Sequence, residues 1–324
     1  MGFQTANAAF KKILGSDPRL EICLENYAYP FAHEAGVFIP ETCEVFMTSN
    51  RIQGADGEQR VQISKFYVTD LDCTQEEINS EVLMANGGVK YKDGIIFCSQ
   101  GTLTHPSKIV CMKYSPPFET ATLVEGFGGR QFNSVNDVVI HCDGSIWFTD
   151  PSYGYEQGFR PPPQLPNQVY RFNPQTNSLR VMADGFGKPN GIAFSPDCRI
   201  VYITDTDSVR GDGTTDLFRP STIYAFDVTL REGEPFLINR RVFSMADVGV
   251  PDGIKCDMDG NVYSGCGDGI HVWSGGGVLL GKILVPGGVS NFCFARPGEI
   301  IALNEHRVWR IALASSCRGS VLKL

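Results

Sequence analysis

The chain has 324 residues, 42% hydrophobic and 20% charged, with a formal net charge of -8. That balance describes a folded globular protein, long enough for one large core or two ordinary ones. The acidic charge argues against a nucleic-acid surface, and the sequence holds no run of 18 apolar residues from which a membrane-spanning helix could be built.

The opening MGFQTANAAFKKILGSDPRL reads as a short helical segment in an N-terminal extension of about 20 residues. It lacks the basic stretch, apolar core and cleavage site of a secretion signal. Ala6 stands where a myristoylation signal needs Ser or Thr. The eleven cysteines are odd in number, contain no C-x-x-C pair and fall partly inside apolar runs. This pattern points to thiols rather than a disulfide framework, and to a reducing, cytoplasmic compartment. Outside the first residues, helical periodicity is confined to residues 75–84.

Residues 135–150, VNDVVIHCDGSIWFTD, read as two strands joined by a tight Asp143-Gly144 turn. The pattern returns at 189–206 (PNGIAFSPDCRIVYITDT) and 251–266 (PDGIKCDMDGNVYSGC). Asn136, Asn190 and Asp252 stand ten residues before Ile146, Ile200 and Val262, with Asp143, Asp197 and Asp259 at one offset between them. Weaker copies open at Glu34, Asn86 and Asn291, giving spacings of 52, 50, 54, 62 and 39 residues. Residues 167–186 and 221–245 supply third and fourth strands. Six such units predict an all-β fold: a single domain, residues 1–324, forming a six-bladed β-propeller with four-stranded blades. Two insertions, residues 153–166 and 208–220, follow hairpins and would flank the face onto which the opening residues point.

In such a ring Glu34, Asn136, Asn190 and Asp252 converge at the mouth of the channel. An all-oxygen set of two carboxylates and two amides suits a hard divalent cation, Ca²⁺ first, then Mg²⁺ or Mn²⁺. A single Asn or Asp at a strand entry is usually a turn former; three aligned copies plus Glu34 favour a site. Strict alternation turns His33 away from the axis, and His105 and His306 read as surface or packing residues. No G-x-S-x-G elbow surrounds Ser152 or Ser195, and no Lys-Ser or Lys-Thr follows Gly275-Gly276-Gly277.

The motifs HEAG (33–36), NSVNDVV (133–139), FTDPSYG (148–154), KPNGIAFSPD (188–197), YITDT (202–206) and PDGIKCD (251–257) resemble those of the SMP-30/gluconolactonase/LRE-like group of six-bladed propellers. RPPPQLPNQVYRF (160–172) is similar to the fungal lactonohydrolase branch. The resemblance implies one divalent metal held by Glu34, Asn190 and Asp252, with Asn136 as ligand or close neighbour. It implies a carboxylic-ester hydrolase that opens a small or medium-sized lactone, with Asp252 as general base and Glu34 and Asn136 beside the reacting ester. Ser134 occupies a position where animal sugar-lactone members carry Arg, so a basic contact would come from Arg130, Arg160 or Arg210 or be missing. The aromatic insertion (Tyr153, Tyr155, Phe159) suits a bulkier, less polar lactone. Two other readings compete: a biosynthetic propeller that isomerises, cyclises or condenses an oxygenated natural product without net hydrolysis, and a non-catalytic scaffold.

Overall fold

The computed structural model describes residues 2–55, 57–68 and 73–322. Each hairpin read from the sequence extends into an antiparallel sheet, and six sheets follow one another in chain order. Blade 1 comprises Glu34–Ile39, Glu44–Thr48, Ile63–Tyr67 and Glu76–Ile78; blade 2, Ala85–Tyr91, Gly94–Ser99, Lys108–Lys113 and Thr120–Val124. Blade 3 comprises Val138–Ile140, Ile146–Asp150, Gln168–Asn173 and Ser178–Ala183; blade 4, Pro189–Phe194, Ile200–Asp205, Thr222–Arg231 and Glu234–Met245. Blade 5 is built on Ile254–Cys256, Val262–Cys266, Gly269–Trp273 and Leu279–Leu284, and blade 6 on Asn291–Phe294, Glu299–Asn304 and Arg307–Ala312. The first strand of each blade packs against the first strands of its two neighbours, and that of blade 6 returns to blade 1, so the ring is closed. This is a six-bladed β-propeller.

The core lies between blades rather than at one centre. Val89, Ile96 and Ile109 of blade 2 pack with Val138, Ile146, Phe148 and Tyr170 of blade 3. Trp147 and Phe148 point to opposite faces of one strand, yet both are fully buried, because each inner sheet is covered on both sides. Burying an aliphatic or phenyl side chain of this kind contributes about 1.5–3 kcal/mol. At the Asp143-Gly144 turn, Asp143 accepts hydrogen bonds from the Ser145 amide and hydroxyl, and Gly144 takes φ 83°.

Two sequence expectations change. The N-terminal segment is not a loose extension: Arg19–Glu25 is the outermost strand of blade 6, and Phe3–Thr5 adds a fifth strand to blade 5. Helix Phe10–Leu14 lies between them as expected, with Phe10 fully buried. Residues 75–84 are not helical; Glu76–Ile78 pair with residues 63–65, where an open sheet edge overrides local helical preference. No helix among the described residues is long and apolar enough to cross a membrane.

Candidate functional site

At the mouth of the channel the backbone of each opening residue is fixed before its side chain is placed. Asn136 and Asp252 donate their amides to the carbonyls of Thr149 and Gly265 on the second strands of their own blades. Threonines on preceding blades hold the opposite edge: Thr149 donates to the Asn190 carbonyl at 2.7 Å, and Thr204 to the Asp252 carbonyl at 3.1 Å. The glycine after an opening residue has a steric reason. A Cβ on Gly191 would lie 2.5 Å from the Asp252 carbonyl oxygen, and one on Gly87 2.6 Å from that of Asn136. Glycine lets adjacent inner strands approach until their opening side chains share one space.

That space is a cavity of about 190 Å³ lined by Glu34, Asn86, Asn136, Asn190 and Asp252, together with His33, Asn50, Arg51, Tyr153, Gln157 and Thr206. All four residues expected as ligands are therefore brought together. In blade 6 the residue matching Asn136 and Asp252 is Ser290, whose amide donates to the Leu303 carbonyl. Asn291 sits one residue deeper, donating its side-chain NH₂ to Glu34. Asp137 occupies the same deeper layer and accepts from the amides of Val138 and Ile192.

His33 does not turn away from the axis. His33 lies in a bend before the strand Glu34–Ile39 begins, so strand alternation does not set its direction. His33 lines the cavity and pairs through Nδ1 with Glu305 at 2.6 Å. Burial disfavours its cation, but Glu305 first, then Glu34 and Asp252, hold its pKa up at about 10. Burial pushes Glu34 up to about 8, with Asp252 and Asp137 adding repulsion and His33 opposing. Burial also pushes Asp252 up to about 6, against the pull of His33.

None of the arginines expected as substrate contacts lines this cavity. Arg160 is buried on the carbonyls of Thr102, His105, Phe132 and Asn133, while Arg130 and Arg210 are exposed. Arg51, unremarked in the sequence, is the arginine at the cavity. Ser134 is structural, donating to the Pro151 carbonyl and accepting from the Gly154 amide. The first insertion does reach the site: Tyr153 and Gln157 line it, and the Tyr153 hydroxyl meets that of Thr206. His306 stacks on Tyr27, and His105 is exposed.

The donor set fits a divalent cation. Asn136 Oδ1 and Asp252 Oδ1 are buried without a hydrogen-bond partner, and two carboxylates crowd one buried space. A hard cation would give both oxygens a partner and relieve the repulsion.

Residues 61–300 match the family described as SMP-30/Gluconolactonase/LRE-like region. The chain is 28% identical over 326 residues to lactonohydrolase oryL of Aspergillus oryzae, covering 94% of this chain and 72% of that protein. A gluconolactonase of Zymomonas mobilis is 29% identical over 208 residues, 60% of this chain and 54% of that one. The solved structure of a gluconolactonase from Xanthomonas campestris superposes with a TM-score of 0.77 at 27% identity, over 97% of this chain and 95% of that one. With its closed ring of six blades and a match over well more than half its length, the chain belongs to the SMP-30/gluconolactonase/LRE-like family.

Proposed function

We propose that the protein is a metal-dependent lactonase that opens a small or medium-sized lactone by hydrolysis. The observation that carries this reading is the pair of buried, partnerless oxygens, Asn136 Oδ1 and Asp252 Oδ1, in a cavity shared with Glu34 and Asn190. Glu34, Asn136, Asn190 and Asp252 would hold one divalent ion, Ca²⁺ by its preference for flexible oxygen sets. The ion would polarise the ester carbonyl and stabilise the charge that develops on it.

Asp252, whose carboxylate lines the cavity, takes the proton of the attacking water. Glu34 and Asn136 orient the ester. His33, kept cationic by Glu305, is the acid lining the cavity from which the departing ring alkoxide takes its proton. The cavity of about 190 Å³ accommodates a small ring. A neighbouring groove of about 770 Å³ shares Val61 with it and presents Leu83, Met84, Leu103 and Phe159, giving an apolar substituent a place to lie.

The test is product formation from a lactone panel in H₂¹⁸O, for the natural chain and Asp252→Asn. Hydrolysis places ¹⁸O in the product carboxylate, and the variant loses about 10²- to 10⁴-fold in kcat/KM. A product without ¹⁸O, or turnover unchanged in the variant, contradicts the reading.

A further inference from the structure

At the opposite end of the blades, the hairpin turns of blades 3 and 4 bring three soft donors together. His141 and Cys142 follow the inner strand Val138–Ile140; Cys198 lies in the turn before Ile200–Asp205. The ligand atoms of His141, Cys142 and Cys198 all lie within 4.8 Å of one another, and Cys142 Sγ is 3.7 Å from His141 Nε2. Tetrahedral zinc, with Zn–S about 2.3 Å and Zn–N about 2.0 Å, separates its ligands by roughly 3.5–3.8 Å. The cluster is therefore near coordinating distance before any ion arrives.

A second observation concerns the histidine. Its Nδ1 stands 3.0 Å from the Asp143 carboxylate. The Asp143 amide approaches the same nitrogen at 3.4 Å, a longer and weaker contact. The carboxylate contact favours a proton on Nδ1 and leaves the Nε2 lone pair facing Cys142, the arrangement in which a carboxylate orients a metal-binding imidazole. The ring is buried at 7% exposure and fixed by Phe194 of blade 4 at 4.8 Å and Trp147 at 5.9 Å. Asp143 is in turn held by Ser145 and Arg171. Cys142 is exposed, so an ion can enter from solvent.

The geometry points to a second metal site, distinct from the channel: we infer that His141, Cys142 and Cys198 bind Zn²⁺ or a similar borderline-soft ion, with water as fourth ligand, and clamp blades 3 and 4 together. Two thiolates and a neutral imidazole balance the charge of Zn²⁺, and binding releases the two thiol protons to solvent. Among the described residues a second cluster of this kind, Asp247, Asp268 and His271, carries no such inference, because the Lys282 ammonium already bridges both carboxylates at 2.6 and 3.2 Å.

The experiment titrates the full, reduced chain with Co²⁺ while excess Ca²⁺ occupies the channel. The expected result is one equivalent of Co²⁺ giving a thiolate-to-cobalt charge-transfer band that Zn²⁺ abolishes. Cys142→Ser, at an exposed position, should lose the band with its metal-free melting temperature unchanged. Asp143→Asn should weaken binding about 10- to 100-fold, and Asp252→Asn should leave the band intact. No band, a band that survives Cys142→Ser, or a Cys142–Cys198 disulfide with no metal uptake under reducing conditions would overturn the assignment.

Discussion

Three ionisable residues at the channel mouth are held far from their ordinary protonation behaviour, and this has a consequence for stability. Without metal, Glu34 near 8 and Asp252 near 6 bind more protons folded than unfolded at neutral pH. For a carboxylate raised in this way, stability is fully present below the unfolded value of about 4 and is lost as pH rises through the folded pKa. His33, raised to about 10, works in the same direction between about pH 6.5 and 10. The melting temperature of chelated protein should therefore fall between about pH 5 and pH 8. Saturating Ca²⁺ should remove most of that fall, because binding the folded state alone opposes it. A differential scan across pH with and without EDTA checks this; a chelated protein that becomes more stable toward pH 8 would contradict the burial of these acids.

At the scale of the strand, the ligand residues are only as well placed as the threonines and glycines behind them. Thr204 Oγ1 accepts from the Gly191 amide at 2.7 Å and donates to the Asp252 carbonyl, joining blades 4 and 5 at the site. Thr204→Val should cost about 1–3 kcal/mol by leaving buried backbone groups unpaired. It should also weaken Ca²⁺ binding measured by calorimetry; full affinity would mean that this hydroxyl does not position Asp252. Gly191→Ala should do the same through a clash of strands. These inner hairpins were the legible part of the sequence, because alternation with period two and an Asp turn leave a strong local pattern. The direction of His33 is not legible in the pattern, because the residue lies in a bend before the strand Glu34–Ile39 and outside its alternation. Arg51 and Ser290 carry no motif and acquire meaning only from the register of neighbouring strands.

For the whole molecule, ring closure depends on a pairing between the two ends of the chain. Arg19–Glu25 pairs residue by residue with Arg307–Ala312, almost the full sequence apart. Six units were countable from the sequence, but the missing fourth strand of the last was not, since nothing local marks a partner so distant. Removing residues 2–25 would expose the edge of blade 6 and strip out Phe10 and Ile13, both buried. At about 1.5–3 kcal/mol each, those two side chains alone imply a loss of roughly 3–6 kcal/mol, and the open edge should promote aggregation. Calorimetry of the truncated chain checks this; an unchanged transition would mean that the ring closes without its N-terminal strand. The closed ring is what brings Glu34 of blade 1 to the same cavity as Asn190 and Asp252 of blades 4 and 5, so metal binding and lactone opening are properties of the molecule as a unit. The most direct test is divalent metal content together with lactone opening, before and after EDTA. One channel-bound ion per chain is expected, with lactone opening lost on chelation and restored by Ca²⁺. Full activity in metal-free protein, or a metal-loaded protein that opens no lactone, would contradict it.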